Sequence, residues 1–479
     1  MKPKNLVFIM ADEHNVNVLG CYGHPMVKTP NLDRLSANGT RFTNAYTNCP
    51  LCVPARATLA TGKYVHEIGY WDGAHPYDGK IPSWGHRLQE TGHNVVSIGK
   101  LHYRNTTDPT GFDEQIIPMH VTDGVGSIHG ALRSENIPNT SCERLAKELG
   151  PGNSDYLRYD TEISEKACEW IESVDSSSNS TPWVLFISFI SPHYPLIAPP
   201  EYYEMYPLHD VPLPKSMSVN DPKHHPWIRE IRKGWPYDDY MNEEKRRMGI
   251  AAYFGMCSFM DANVGKILTS LNKSQLTQNT QIIYMSDHGE NLGKRGLWGK
   301  MTMYEEAAAI PMIISGPEIP VGKTCSTPVS LIDIYPTILE CVGEPLLEKE
   351  KSLPGRSLQM IANETDDNER KVFSEYHGAG SPSAVYMLRM GKYKYISYLG
   401  YSPELFDLEL DPEEEENLAN EKEYSELVKK FDTFLNDILN PEETDKKAKL
   451  DQAALIARLG GKEAILKKKT FAGTPPPKI

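Results

Sequence analysis

The amino-acid sequence predicts an α/β protein in which a large, mixed but mostly parallel sheet is sandwiched by helices and followed by a smaller α+β domain. Residues 6–10 read Leu-Val-Phe-Ile-Met, a continuous apolar run that is typical of a strand buried on both faces. Similar runs alternate with a long stretch, residues 243–271, in which apolar side chains recur at helical spacing. After about residue 365 the pattern changes to alternating polar and apolar residues, which favours antiparallel strands.

The length of the chain and its net charge limit the possible architecture and the possible binding partners. A chain of 479 residues exceeds what one hydrophobic core usually supports, so we predict a larger domain over residues 1–365 and a smaller one over residues 366–479. The net charge of −14 argues against a nucleic-acid partner, because phosphate backbones are bound mainly through Lys and Arg. With no signal-peptide pattern at the start and no apolar run long enough to span a membrane, we expect a cytoplasmic protein with mostly reduced cysteines and no membrane partner.

The first domain contains further strand and helix signals in chain order. Thr29 and Pro30 predict the start of a helix, with a capping hydroxyl and a proline in the first turn, and Gly39 predicts its end. Apolar runs like the first one predict more buried strands, at residues 95–98, 184–190, 282–285 and 312–315.

The second domain combines strand-like and helical segments. Residues 385–396 alternate as in a strand, and a second strand candidate at residues 404–408 precedes an acidic loop at residues 411–416. Residues 440–479 are Lys-rich with helical character and end in Thr474 and three prolines, which form neither a helix nor a central strand. We expect this tail to wrap a neighbouring surface or subunit, which favours a homo-oligomer.

Two of the predicted strands end in acidic residues. Asp12 and Glu13 follow the first apolar strand, and Asp287 and His288 follow the strand at residues 282–285. The carboxyl ends of buried strands are where sheets of this kind place ligands. Hard carboxylate oxygens with one imidazole fit a divalent cation such as Ca²⁺, Mg²⁺ or Mn²⁺.

A third element is the sequence Cys52-Val53-Pro54-Ala55-Arg56, which is followed by a helix-like stretch ending in Thr61-Gly62. A single cysteine is more often a small buried apolar residue than a reactive group. Here Cys52 lies near a helix N-terminus, where backbone N–H groups and the helix dipole favour an anion.

Together these motifs resemble the type I sulfatases, the formylglycine-dependent members of the alkaline phosphatase superfamily, along nearly the whole chain. The matching segments are Asp12, Thr29–Leu35, Cys52–Arg56 with Thr61 and Gly62, Gly99–His102, Ser191–His193, Ser286–Gly289, Gly296–Lys300 and Leu405–Leu408. The pairs Asp12-Glu13 and Asp287-His288 look closer to choline-sulfatase-like and phosphonate-monoester-hydrolase-like members than to arylsulfatases. The resemblance implies an alkaline-phosphatase-like fold and a sulfuric ester hydrolase.

The resemblance also implies a role for each matching residue. One divalent metal ion, most simply Ca²⁺ with Mn²⁺ or Mg²⁺ as alternatives, would be held by Asp12, Asp287, His288 and Cys52, the last after oxidation to formylglycine. Arg56 would hold the formylglycine, and the sulfate pocket would be lined by Lys100, His102, His193 and Lys300. Lys100, His102 and His193 directly follow predicted strands, which supports placement at the rim of an active site. Glu13 matches a position where relatives carry Asp or Gln, so its role stays open.

The implied reaction is hydrolysis of a small anionic sulfate ester to an alcohol and inorganic sulfate. One hydroxyl of the hydrated aldehyde would attack sulfur while His193, assisted by Lys300, protonates the departing alcohol. His102 would then remove the proton of the second hydroxyl so that sulfate leaves. Maturation requires a formylglycine-generating enzyme as a partner.

The same motifs leave alternatives open. Phosphonate monoesters and phosphodiesters are also tetrahedral oxyanions, so the machinery would fit them equally, and a non-catalytic binding homologue is a further reading. Residues 207–240 are rich in aromatics that would shape a pocket, with an aromatic cage for a quaternary ammonium group as one reading and a packed surface insertion as the other. Asp72-Gly73 departs from the Asp-Asn of choline-sulfatase relatives. His14, His75, His224 and His225 are interpreted as structural.

Overall fold

The structure is a computed structural model that describes residues 2–133, 141–174, 181–215, 221, 223–468 and 474–477. The strands are β1 (Asn5–Asp12), β2 (Gly39–Phe42), β3 (Ala45–Tyr46), β4 (Asn94–Lys100), β5 (Glu114–Met119), β6 (Leu149–Pro151), β7 (Trp183–Pro192), β8 (Leu196–Ala198), β9 (Thr280–Ser286), β10 (Met312–Ser315), β11 (Lys323–Cys325), β12 (Val329–Ser330), β13 (Lys371–Tyr376), β14 (Val385–Met390), β15 (Tyr393–Tyr398) and β16 (Glu404–Asp407).

The α-helices connect and cover these strands. They are α1 (Pro30–Ala37), α2 (Cys52–Thr61), α3 (Val65–Ile68), α4 (Trp84–Gln89), α5 (Ser141–Leu145), α6 (Asp155–Ser173), α7 (Pro200–Tyr203), α8 (Pro226–Gly234), α9 (Glu243–Lys273), α10 (Glu305–Ala308), α11 (Ile334–Val342), α12 (Leu358–Asn363), α13 (Ser425–Ile438), α14 (Pro441–Arg458) and α15 (Lys462–Leu466).

An eight-stranded sheet forms the centre of the molecule, in the order β11-β2-β10-β9-β1-β7-β4-β5. The five strands from β9 to β5 run parallel, and β10 is antiparallel to both of its neighbours. Side chains of β1 alternate between two apolar layers, because Phe8 packs on one face of the sheet and Ile9 on the other. Burial on both faces explains the continuous apolar runs in the sequence and confirms the predicted fold class.

A separate four-stranded antiparallel sheet, β13-β14-β15-β16, forms the smaller C-terminal unit. Met387 packs toward the layer that contains Leu297, whereas Leu388 packs toward Phe431 of α13. This alternation confirms antiparallel strands in the smaller domain, and a turn at Gly391 divides the predicted strand into β14 and β15. The exact division at residue 365 stays a prediction.

The start of α1 differs from the sequence prediction. The Thr29 hydroxyl donates to Asp33 instead of capping the helix, and the amides of Asn31 and Leu32 donate to the carboxylate of Asp261 on α9. The helix ends at Ala37, and Gly39 begins β2. A carboxylate distant in sequence therefore takes the role predicted for the local hydroxyl.

The tail packs against its own chain in the described residues. Asp451 of α14 accepts a hydrogen bond from the indole of Trp71 at 2.9 Å, and Gln452 donates to Asp72 at 2.8 Å. The carbonyl of Thr474 accepts from the hydroxyl of Tyr156. The homo-oligomer stays a prediction. Among the described residues, no helix is both long enough and apolar enough to cross a membrane.

Candidate active site and metal site

The candidate site lies at one edge of the large sheet, where the parallel strands end. Asp12 is the last residue of β1, Lys100 is the last residue of β4, and His193 follows β7. Asp287 and His288 directly follow β9. Because these four strands are parallel, their carboxyl ends share an edge, and the side chains that the sequence placed at strand ends lie close together.

Helix α2 brings Cys52 to the same point. Cys52 is the first residue of the helix, and its Sγ lies 3.1 Å from Nε2 of His288 and 3.6 Å from Oδ1 of Asp12. The ligand atoms of Asp12, Cys52, Asp287 and His288 all lie within 4.8 Å of one another, and all four residues are buried. The structure thus brings together the complete metal-ligand set that the sequence suggested.

The chemistry of this donor set fits a hard divalent cation. Nδ1 of His288 lies 3.0 Å from the carbonyl oxygen of Gly289, a contact that directs Nε2 toward the carboxylates. Asp287 is oriented by the backbone amides of Glu13 and His288. A thiolate is a soft ligand, whereas an oxygen at residue 52 would complete an oxygen-rich set suited to Ca²⁺, Mg²⁺ or Mn²⁺. Formylglycine would supply that oxygen.

Arg56 lies between the two carboxylates of this set and is only 1% exposed. Its guanidinium donates to Asp12 at 3.0 Å and to Asp287 at 2.9 Å. It also donates to the carbonyl of Lys100 and to the hydroxyl of Ser188. Every nitrogen of this buried guanidinium has a partner, so Arg56 fixes the positions of both acids.

Lys100 gives Asp12 a second cation, with 2.5 Å between Nζ and Oδ2. Burial opposes ionisation of Asp12, but Lys100, His193 and Arg56 hold the pKa of Asp12 well below its ordinary value. In contrast, burial and the charge of Asp12 raise the pKa of the Cys52 thiol to about 12. The site therefore keeps a charged carboxylate next to a neutral thiol.

Glu13 lies next to the metal-ligand set, because the ligand atoms of Asp12, Glu13 and His193 also lie within 4.8 Å of one another. Its Oε2 lies 3.0 Å from Nζ of Lys300 and 3.4 Å from Nε2 of His193. Residue 13 has a positive φ of 67°, and its carbonyl accepts a hydrogen bond from Tyr253. This backbone conformation is uncommon for a residue other than glycine and turns the carboxylate toward the lysine and the histidine. Nζ of Lys300 also lies 3.3 Å from Sγ of Cys52.

His102 is the last of the predicted site residues. It is 9% exposed, and neither ring nitrogen has a hydrogen-bond partner among the described residues. Burial, reinforced by Lys100 and Arg56, lowers the pKa of His102 well below its ordinary value. The neutral imidazole has a free ring nitrogen that is available to accept a proton.

Sequence reasoning missed several of the groups that line a cavity of about 240 Å³ beside Lys300 and His193, among them Glu290, Trp298 and Tyr376. Glu290, which lines it, follows Asp287-His288-Gly289 directly, so the motif itself pointed to this position. Among the aromatics of residues 207–240, Trp235 and Tyr237 line the cavity, Trp227 is buried in the core and Tyr240 is exposed. Two of the four aromatics therefore contribute to a pocket, and the cage for a quaternary ammonium group stays a prediction.

Comparisons with known proteins agree with the site and the fold. The sulfatase family profile matches residues 4–344, and a profile for the C-terminal part of N-sulphoglucosamine sulphohydrolase matches residues 293–440. The chain is 31% identical to a choline-sulfatase of Rhizobium meliloti (strain 1021) over 427 residues, covering 87% of this chain and 82% of the relative. It is 30% identical to human (Homo sapiens) arylsulfatase K over 461 residues, covering 92% and 83% respectively.

Solved structures share the fold at lower sequence identity. A protein in complex with its substrate D-glucosamine-2-N,6-O-disulfate matches with a TM-score of 0.74 and 23% identity, over 94% of this chain and 99% of that one. The phosphonate monoester hydrolase of Agrobacterium radiobacter matches with a TM-score of 0.71 and 21% identity, over 91% and 95%.

The fold and the family comparison together define the chain as a hydrolase of the alkaline phosphatase superfamily, and the carboxylate, cysteine and histidine cluster lies at the end of its mostly parallel sheet. Within that class, the chain belongs to the sulfatase family. It is an enzyme of the sulfuric ester hydrolase type, as the sequence resemblance implied.

Proposed function

We propose that this enzyme hydrolyses a sulfate ester to an alcohol and inorganic sulfate, with formylglycine at residue 52 as the nucleophile beside one divalent metal ion. The observation that carries the proposal is the convergence of Cys52 with Asp12, Asp287 and His288 within 4.8 Å. Lys100 and Lys300 flank this cluster. A binding protein without turnover would have no need for the nucleophile, the ligands and the cations together.

The absent groups supply chemistry that the unmodified chain lacks. Asp12, Asp287, His288 and residue 52 would hold a metal ion, with Ca²⁺ as the first choice and Mn²⁺ or Mg²⁺ as alternatives, which would supply a positive charge that favours an ionised hydroxyl at residue 52. Hydrated formylglycine offers two hydroxyls on one carbon, one for attack and one for release of sulfate. A formylglycine-generating enzyme is therefore the partner that this chain needs for maturation.

Lys100 and Lys300 are the cations placed to bind the sulfate group and stabilise charge on its oxygens, while Arg56 positions the carboxylates. Arg56 holds two carboxylates in place, Lys100 neutralises Asp12, and Lys300 lies beside residue 52. Fixed charges in a site that excludes water are the largest available source of transition-state stabilisation. This local group offsets the net charge of −14 that would otherwise repel an anionic substrate.

His193 and His102 carry out different proton transfers in the proposed reaction. Nδ1 of His193 lies 2.6 Å from the carbonyl of Tyr194, so that Nε2 faces Glu13 and Lys300 and is placed to protonate the departing alcohol. Burial lowers the pKa of His193, and the positive charges of Lys300 and Lys100 lower it further. A negatively charged ester bound between the two lysines offsets the effect of their charges on the pKa of His193. His102, neutral and without a hydrogen-bond partner among the described residues, accepts a proton as sulfate is released.

Mass spectrometry of the peptide containing Cys52, together with rate measurements on the same preparation, tests the proposal. We expect the rate of sulfate ester hydrolysis to rise in proportion to the fraction of formylglycine. Full turnover by an entirely unmodified thiol would exclude the formylglycine mechanism. Matched aryl sulfate, phosphonate and phosphodiester esters then separate the alternatives, since a clear preference for either phosphorus ester would replace sulfate hydrolysis as the principal activity.

Replacing His193 with alanine should reduce kcat/KM most for esters with poor leaving groups. General acid catalysis contributes about 10²–10⁴-fold, and an alcohol of high pKa needs the proton more than a nitrophenol does. The measurement is kcat/KM for a series of aryl sulfates, plotted against the pKa of the leaving phenol. An equal loss across the series would argue against an acid role for His193.

Replacing Glu13 with glutamine should leave metal content unchanged and reduce kcat. The amide oxygen still accepts from Lys300, but an amide cannot take up the negative charge that Glu13, whose pKa burial raises to about 8, gains beside Lys300 and His193 as the pH rises. We expect a fall on the order of tenfold in kcat, as for a misplaced catalytic group, with one metal ion still bound per chain by elemental analysis. Loss of the metal ion in the variant would instead make Glu13 a ligand.

A further inference from the structure

The cavity beside Lys300 and His193 is where the alcohol part of a bound ester would lie, because His193 faces the departing oxygen. Three segments contribute most of its large aromatic side chains and Met301: the loop before α9 (Trp235 and Tyr237), the loop that carries Lys300 (Trp298 and Met301) and the end of β13 (Tyr376). Leu51, Leu145, Tyr194 and Leu196 add to the wall from other segments. The cavity has a volume of about 240 Å³ and is open to solvent on one side, so the part next to His193 holds one small group.

Several polar atoms of this wall are engaged with other protein groups, whereas Nε1 of Trp298 has no hydrogen-bond partner among the described residues. The hydroxyl of Tyr194 donates to Glu148 at 2.8 Å, and that of Tyr376 donates to the carbonyl of Ala379. Oε1 of Glu290 accepts two backbone N–H bonds, from Leu292 and Gly299. An alcohol with several hydroxyls would therefore lose water and find few partners, which is unfavourable for binding.

The charges around the cavity also select against anionic alcohols. Glu13 and Glu290 contribute carboxyl groups to the lining, and the basic residues among the described lining residues are Lys300 and His193. Both of these contact the same oxygen of Glu13. In the described part of the lining, a second anionic group on the alcohol would find no cation other than Lys300 and His193, which the proposed reaction already uses at the sulfate end.

We propose that the physiological leaving group is a compact, uncharged and largely apolar alcohol, and that esters of saccharides or of alcohols with a second anionic group are poor substrates. This inference rests on the proposed function and adds the class of substrate. Burial of a ring or a methyl-rich group against the indoles and phenols supplies the binding energy, and the sulfate end supplies the orientation.

The position of Trp235 depends on a glycine in the C-terminal unit. A Cβ atom on Gly380, whose φ is 71°, would lie 1.9 Å from Cζ3 of Trp235. Glycine at position 380 therefore allows the indole to form one wall of the cavity. Gly380→Ala and Trp235→Ala are two independent ways to alter the same wall.

Two matched pairs of esters test the inference on the formylglycine-containing enzyme. Cyclohexylmethyl sulfate and glucose 6-sulfate are both primary esters next to a six-membered ring, and methyl 4-sulfooxybenzoate and 4-sulfooxybenzoate differ in one negative charge. We expect kcat/KM to be at least about tenfold higher for the apolar or uncharged member of each pair. Equal or better turnover of the sugar or the carboxylate would overturn the inference while leaving sulfate hydrolysis intact.

Failure of all four esters would instead refute the proposed function, so the two failures can be told apart. A third pair, choline sulfate and its neutral isostere 3,3-dimethylbutyl sulfate, examines charge of the opposite sign. Equal turnover of this pair, or preference for the isostere, supports an uncharged alcohol. Preference for choline sulfate would overturn that assignment in favour of a cation cage.

Variants of the wall residues test whether the aromatic wall of the cavity causes the preference for apolar esters. Trp235→Ala and Gly380→Ala should each lower kcat/KM for cyclohexylmethyl sulfate several-fold and leave that for glucose 6-sulfate unchanged. Tyr240→Ala, which removes an exposed aromatic ring from the same segment, is the matched control and should change neither value. An equal loss on both esters in the folded variants would show that the wall does not set the preference.

Discussion

Cys52→Ser should release one equivalent of alcohol per enzyme molecule and then stop, whereas Cys52→Ala should release none. In the serine variant Oγ forms a bond to sulfur, the bond from sulfur to the alcohol oxygen breaks, and His193 gives the alcohol its proton. Serine has no second hydroxyl on the same carbon, so the sulfate stays attached as an ester of residue 52. We expect the steady-state rate to fall by on the order of 10³-fold or more, as when a nucleophile is removed.

Burst kinetics and intact-protein mass spectrometry measure both parts of this result. The serine variant should gain the mass of SO₃ in step with alcohol release, and the alanine variant should gain nothing. Residue 52 is 5% exposed and each change is small, so equal melting temperatures would show that the fold is retained. Continuous turnover by the serine variant near the rate of the modified enzyme would contradict a requirement for the second hydroxyl.

A variant of His102 tests the release of sulfate from residue 52 independently. If His102 accepts a proton only as sulfate is released, His102→Ala in the formylglycine-containing enzyme should slow steady-state turnover more than the first release of alcohol. His193→Ala should slow the first release. The two histidines thus act on different phases of one time course, although both are buried at the same sheet edge.

The ends of the strands were predictable from sequence because burial on both faces produces a recognisable pattern. Apolar runs located β1, β4, β7 and β9, and the polar residues that follow them had to meet at one edge once the strands were parallel. Cys52 was predictable for another reason, since proline and arginine at fixed offsets placed it at the start of a helix. Local pattern and sheet topology together therefore determine the centre of the site.

Contacts between residues far apart in sequence account for what could not be predicted. Glu13 is separated from Lys300 by 287 positions, and only the folded chain shows that its carboxylate contacts this lysine. The cap of α1 comes from Asp261 of α9, 229 positions from Leu32 whose amide it binds. The indole of Trp235 packs closely against Gly380 on another loop, and no repeating pattern in the sequence predicts this contact.

Removing the guanidinium of Arg56 should have the largest effect on stability of any single change at the site. Arg56→Ala leaves Asp12 and Asp287, which are 0% and 1% exposed, without the cation that bridges them. Leaving one partner of a buried ion pair unpaired costs about 3–5 kcal/mol, and this applies to Asp287, whereas Asp12 keeps Lys100. Arg56→Lys keeps the charge but not the planar fork that reaches both acids, so an intermediate loss is expected.

The dependence of this loss on divalent cations distinguishes a structural arginine from one that shares its carboxylates with a metal ion. If Asp12 and Asp287 hold the ion, saturating Ca²⁺ stabilises the folded variant and offsets part of the charge left unpaired. We therefore expect the difference in unfolding free energy between Arg56→Ala and the unmodified sequence to be larger in chelator than in Ca²⁺. Denaturant unfolding in both conditions measures it.

Arg87→Ala is the matched control for this comparison. Arg87 is also buried, at 7% exposure, and pairs with Glu344 and Glu350 away from the proposed ligands. Its removal should destabilise the protein by the same amount in chelator and in Ca²⁺, because neither of its partners is a proposed ligand of the ion. If Arg56→Ala also destabilises the protein equally in chelator and in Ca²⁺, Asp12 and Asp287 do not share their charge with a metal ion. The proposed set of metal ligands must then be revised.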